Sequence, residues 1–399
     1  MARSRVKKWF GFIHLWLGLI SGTIIFVVSI TGCIYVFRDE LFTIAHHDVL
    51  FNDIKNKQTT LPVSVLWDTA QKYLGEQYKL EDGTAYSDYN RNWEFMAANY
   101  NDSAITYFGW AQYDYTIYIN PYSAKVEGAI DNKYEFFQLV KMLHWSLLLH
   151  TEYGQPIVGT AILLFVVSLI SGLVIWWPKK IKHLKENIKV RWKARWRRIN
   201  YDIHRSTAIY VLPLAFIISL TGLLWAFKWM QAIVYVAATQ SITPPERPYI
   251  KSTYDTIQVW KSEKELLNHT VSSAFTHYPT AYSVHFHPAN RNDTAYSMSL
   301  YVRNNGMVYY NAALEYYDQY SGKLINSLTF DKLNRGEKLI YMNYDIHVGQ
   351  ILGIPGKILA FMASLICASL PVTGCMIWWG RRKINRQKQA KANPKNESS

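Results

Sequence analysis

Residues 14–32 read HLWLGLISGTIIFVVSITG, and residues 204–222 read HRSTAIYVLPLAFIISLTG. In both, a histidine opens an apolar run, a serine stands fifteen residues later (Ser29, Ser219), and a Thr-Gly pair closes the run (Thr31-Gly32, Thr221-Gly222). An ionisable ring inside a membrane span is costly and is usually kept for function. Two such rings in the same frame predict a duplicated site.

The rest of the duplication lies downstream. Ser171-Gly172 followed by Ile175-Trp176-Trp177 is matched by Thr373-Gly374 followed by Ile377-Trp378-Trp379, and one further histidine precedes each apolar run, His144 and His347. The chain reads as two copies of helix, large loop, histidine, helix.

Half of the 399 residues are hydrophobic, in blocks too long for a soluble core. Four spans are expected, near 10–37, 157–177, 203–227 and 356–379, each meeting the roughly 20 residues that a bilayer crossing needs. The chain then divides into a first transmembrane helix (1–37), an external domain (38–135), an interfacial helix with the second span (136–180) and a basic link (181–202). The second copy follows as a third span (203–235), an external domain (236–337), an interfacial helix with the fourth span (338–380) and a basic tail (381–399).

The net charge of +14 has a topological cause. Arg3, Arg5, Lys7 and Lys8 precede the first span, ten Lys and Arg residues crowd positions 179–198, and Arg381, Arg382, Lys383 and Arg386 follow the last span. The positive-inside rule puts these segments and both termini in the cytoplasm and both large loops outside. No nucleic-acid partner is needed to explain the charge. The basic lead and apolar run at the N-terminus resemble a secretory signal, but the run is too long and lacks a small-x-small cleavage site, so an uncleaved span is expected. Cys33, Cys367 and Cys375 fall within spans, form no CxxC or CxxCH, and read as small packing residues.

The external loops are polar and rich in tyrosine. Helical spacing at 61–79, with Val65, Ala70, Tyr73 and Leu74 as apolar positions, recurs at 261–277, and strand-like alternation follows at 116–119 and 297–302. Each loop is expected to be a helix on its own antiparallel sheet. The segment from Tyr118 to Val126 aligns with that from Tyr316 to Leu324, where Asn120 or Asp318 precedes Tyr-Ser and then Ala124 or Gly322, a turn between strands.

In this order of parts, a His-bearing span, an external loop ending in a Y-x-N/D-x-Y-S-x-K hairpin, a second His, and a span closing in G-x-x-I-W-W, the chain resembles the PepSY-associated transmembrane family. The likeness runs from Trp9 to Arg382. That family includes bacterial inner-membrane ferric-siderophore reductases and iron-regulated membrane proteins. The resemblance implies a four-transmembrane-helix bundle built from two tandem repeats, with two external α+β (PepSY-like) domains in the periplasm.

His14 and His204 lie near the cytoplasmic ends of outward-running spans, and His144 and His347 precede inward-running ones. A pseudo-twofold axis between the repeats would bring each equivalent pair face to face, as a b-type haem is held in a helix bundle. Gly18, Gly22 and Ala208 would form a groove for one flat macrocycle. Gly32 and Gly222, about 27 Å further along the same face, would make room for a second. Gly154-Gln155-Pro156 and Gly353-Ile354-Pro355-Gly356 read as helix breaks, placing His144 and His347 on short interfacial helices, 136–150 and 338–352. His150, six residues after His144, stands as an alternative ligand or a propionate partner. Singly, each histidine reads as a hydrogen-bonded boundary residue; their repeat-equivalent positions argue for iron ligation by His14, His204, His144 and His347.

His285 and His287 share one face of a strand and suit a metal or an acidic chelate. With no third ligand in sight, the wet face of an edge strand is the plainer reading. Trp9, Trp16, Trp176, Trp177, Trp225, Trp229, Trp378 and Trp379 read first as interfacial anchors.

Two haem b groups with both axial sites filled by imidazole exchange electrons and do little else. With no G-x-G-x-x-G, the donor would be separate, a quinol or a cytoplasmic reductase docking on the basic link. Together with the resemblance, this predicts an oxidoreductase in the lipid bilayer that passes electrons outward to a ferric siderophore or other ferric chelate. The chelate would be held by tyrosines around Tyr86, Tyr89, Trp93, Tyr107, Trp110 and Tyr115, and around Tyr309, Tyr310, Tyr316 and Tyr317, unless those rings simply pack the sheets. The alternative is a membrane-anchored PepSY binding or regulatory module without haem. A transporter is disfavoured because no expected span carries a buried carboxylate.

Overall fold

The four apolar runs become four long helices in the computed structural model, which describes residues 2–56, 58–178, 180–245, 250–253, 260, 262–290 and 292–392. They cover Ala2–Val36, Thr151–Trp176, Trp196–Ala226 and Gly353–Ala392, and each holds a stretch long and apolar enough to cross a membrane. Lys179, Lys261 and the tail beyond residue 392 lie outside the described residues. The first helix packs along the second and the fourth, and the third packs along the same two. The neighbours therefore form a closed ring in which the first and third helices stand on one diagonal.

Several boundaries differ from the sequence reading, for local reasons. The second helix begins at Thr151 and runs through Pro156, while Pro355 sits in the first turn of the fourth, where its missing amide has no intrahelical partner anyway. The chain breaks earlier, at Leu147 and Leu148 (φ 57° and 58°) and at Gly349 and Gly353 (φ 77° and 64°). The interfacial helices are shorter than expected, Phe136–Ser146 in the first repeat and the pair Arg335–Tyr341 and Asn343–His347 in the second. The third helix starts at Trp196 and so takes in Asp202, which is fully buried between Arg198 (3.0 Å) and Arg205 (3.3 Å). The expectation that no spanning helix carries a buried carboxylate is corrected accordingly.

Outside the bundle the strands are β1 (Asp82–Tyr86), β2 (Trp93–Tyr100), β3 (Ala111–Ile119), β4 (Val126–Asp131), β5 (Ser283–Phe286), β6 (Ser297–Arg303), β7 (Ala312–Asp318) and β8 (Leu324–Thr329). Each loop supplies an antiparallel four-stranded half. The halves do not stand apart: β1 pairs with β5, giving one eight-stranded sheet of order β4-β3-β2-β1-β5-β6-β7-β8. Helices Val63–Leu74 and Glu263–His277 cover one face of it, burying Leu66, Ala70, Leu266 and Ala274 against Phe95, Ile117, Phe286 and Leu300. The amide of Asn268 joins the two helices by bonding Ser64 (2.9 Å).

Of the apolar positions expected on helix Val63–Leu74, Ala70 is buried and Leu74 packs on the core, whereas Val65 and Tyr73 face outward and Val63 and Leu66 complete the buried stripe instead. The two matching hairpins are Asx turns: Asn120 Oδ1 accepts from the amides of Tyr122 and Ser123, and Asp318 Oδ1 from those of Tyr320 and Ser321. Tyr107, Trp93 and Tyr317 are buried in the packing, so these three rings offer no surface for a chelate.

Candidate functional site

The bundle holds two cavities, one above the other. The inner, of about 490 Å³, is lined by His14 and His204 together with Gly11, Gly18, Ala208 and Trp378; the outer, of about 380 Å³, by His144 and His347 with Gly32, Gly222, Trp145 and Trp225. Ile25 and Phe165 line both. A Cβ on Gly11 or Gly18 would meet nothing, so these glycines leave open space in the inner cavity; Gly22 instead packs on Pro371.

Each expected pair meets across the diagonal of the bundle. The His14 and His204 ring centres are 6.3 Å apart with planes at 75°, and those of His144 and His347 are 6.2 Å apart at 72°.

All four rings are held by one repeated device. His204 Nδ1 lies 2.8 Å from Thr373 Oγ1, and His347 Nδ1 2.8 Å from Thr221 Oγ1. Those hydroxyls already donate to carbonyls of their own helices, Thr373 to Ser369 and Thr221 to Ile217. The oxygen is left to accept, so the proton is on Nδ1 and the Nε2 lone pair is free. His14 Nδ1–H donates to the Ser168 carbonyl (3.0 Å) beside Ser171 Oγ, and His144 Nδ1–H to the Val28 carbonyl (2.8 Å) beside Thr31 Oγ1.

The glycine after each hydroxyl residue is where the ring rests. A Cβ on Gly172 would lie 3.1 Å from His14 Cε1, one on Gly32 3.2 Å from His144 Cε1, and ones on Gly222 and Gly374 3.5 Å from His347 and His204. Gly32 and Gly222 thus make room for the histidine ring itself rather than for a macrocycle directly. The sequence displayed this clip four times as Ser/Thr-Gly, and its role appears only once the partner histidine is seen to come from a different helix of the same repeat, a long one for His14 and His204 and a short one for His144 and His347.

The donor set fits a porphyrin iron held from both sides. An imidazole nitrogen binds a transition metal at about 2 Å; with the ring centre roughly 1 Å beyond that nitrogen, two axial imidazoles stand about 6 Å apart, as both pairs do here. Cations border each cavity, Lys7, Arg205 and Arg381 the inner and Lys141 the outer, where they suit the carboxylates of such a group. His14 and Val28, which marks the level of the outer pair, are fourteen residues apart on one helix, about 21 Å along its axis.

His150 does not join either pair. It caps the second long helix, Nδ1 accepting from the Glu152 amide at 3.3 Å, and packs edge-on against Trp110. Its place as an alternative ligand is corrected for that reason.

His285 and His287 are not on an edge strand: β5 is central in the sheet, and the strand beside it brings Asp82 to them. Burial, and then Glu81, Asp114 and Glu94 nearby, push the Asp82 carboxyl up to about 7; burial, and then His287, lower His285 to about 4.

A family model described as the PepSY-associated TM region matches residues 12–381. No curated protein sequence matches the chain.

Proposed function

We propose, for a chain that belongs to the PepSY-associated transmembrane family, that it is a diheme b-type reductase of the bacterial inner membrane, passing electrons outward to a ferric siderophore or other ferric chelate. The observation that carries this reading is the double pairing: His14 with His204 and His144 with His347, at 6.3 and 6.2 Å between ring centres, in two apolar cavities that share Ile25 and Phe165.

A haem held between His14 and His204, or between His144 and His347, would supply one-electron exchange and would leave no site for oxygen or substrate. The chain's part is to hold and to insulate. The Ser/Thr clips keep each Nε2 unprotonated, and the glycines let each ring sit close to its helix. Ile25 and Phe165, which line both cavities, put apolar side chains between the two levels. The basic segments at 179–198 and 381–386 support, by the positive-inside rule, a cytoplasmic side for the inner cavity and a periplasmic side for the sheet. An electron donor, a quinol or a cytoplasmic reductase, would meet that basic face. Reduction of the chelated iron weakens its hold by hard oxygen donors and releases it.

The test is a pyridine haemochrome assay on the full chain purified in detergent from haem-replete cells. Two haem b per polypeptide are expected. A colourless preparation would overturn the reading and leave a membrane-anchored binding or regulatory module.

A further inference from the structure

We propose that Asp82, His285 and His287 form a binding site for one divalent first-row transition-metal ion at the seam between the two halves of the external sheet. One ligand atom from each lies within 4.8 Å of the others, and the two imidazole rings stand 5.0 Å apart at 89°.

The β1–β5 register builds this group. Thr84 pairs with His285 and Gly83 with Phe286, and one residue beyond this last rung on either side come Asp82 and His287, which lie close to each other. Strand alternation turns Gly83, Ala85, Val284 and Phe286 toward the helices and puts Asp82, Thr84, His285 and His287 together on the other face. At the far end of the same pairing stand Tyr86 and Ser283, which are poor metal donors. The duplication therefore gives the site once.

Two further features point to a cation. Asp82 Oδ1 is buried without a hydrogen-bond partner, a costly state for a carboxylate that a metal would relieve. Thr84 Oγ1 lies 3.0 Å from His285 Nδ1, fixing the ring and leaving Nε2 for a ligand bond. Two imidazoles among three donors favour zinc, ferrous or cobaltous ions over magnesium or calcium, and three protein donors leave a position for water or an outside ligand. Because one donor comes from the first loop and two from the second, a bound ion ties the halves of the sheet together. None of the three lines either bundle cavity, so the proposal is independent of haem.

The untagged full chain in detergent, stripped with chelator, is titrated with Co2+ and followed by visible absorption, with Zn2+ as competitor and Mg2+ as control. One equivalent is expected to bind, with displacement by Zn2+ and none by Mg2+. His287→Ala and the near-isosteric Asp82→Asn should each weaken binding by at least about tenfold, while His14→Ala and His347→Ala leave it unchanged. Zn2+ should also raise the melting midpoint of the parent but not of Asp82→Asn, a readout that holds even if His287→Ala folds poorly. Absence of a one-equivalent site, or a site that survives Asp82→Asn at full affinity, overturns the proposal.

Discussion

Thr221 Oγ1 lies 2.8 Å from Nδ1 of His347, and the residue after Thr221 is the glycine on which the same ring rests. A hydroxyl that orients and a glycine that yields are thus adjacent in sequence, on a helix different from the one that carries the ring. The arrangement recurs at Thr31-Gly32, Ser171-Gly172 and Thr373-Gly374.

Thr221→Val keeps the shape of the clip and removes its acceptor. The outer haem should bind about 10–100-fold more weakly, as is usual when the partner of a metal-bound histidine is lost, with the inner haem untouched. Haem retention during dilution, followed in the Soret band, measures this; equal loss from both levels would contradict it.

His14→Ala or His204→Ala should lower the count from two haems to one, and His144→Ala or His347→Ala should do the same at the other level. The outer variants should in addition stop reduction of ferric chelate supplied from the external side. Haem stoichiometry with a ferrous-iron assay on oriented vesicles reads both effects.

Gly32→Val sets two opposing effects against each other. Replacing glycine raises helix propensity by roughly 0.5 kcal/mol, yet the new side chain starts 3.2 Å from His144 Cε1 and must push the ring aside. The expected result is a folded protein lacking the outer haem, and Gly172→Val should mirror it at the inner level. Circular dichroism beside the haem count separates displacement from unfolding.

His150→Ala should leave both haems in place and cost at most about 1 kcal/mol through the lost helix cap. Loss of the outer haem in this variant would return His150 to the ligand set.

The parts of the molecule that the sequence displayed are those that repeat locally. The two histidine-led apolar runs and the matching Asx turns are each written within twenty residues, and both have the structure they suggest. What was hidden depends on partners far away in the chain. The β1–β5 pairing joins residues about 200 apart through main-chain bonds that leave no side-chain signature, and so Asp82 gave no sign of standing beside His285 and His287. Helix starts were misplaced where left-handed Leu147 and Leu148, residues with no turn-forming chemistry, end the helix ahead of the prolines.

A polypeptide carrying only residues 1–180 would show β1 as a bare row of amides and carbonyls, and would own one imidazole at each level with nothing opposite. Its cheapest remedy is a twin in antiparallel register, which closes the row and completes both pairs in a single encounter. One chain that carries both copies holds that pairing permanently, and the two flanks of its seam are free to differ, as Asp82, His285 and His287 at one end differ from Tyr86 and Ser283 at the other.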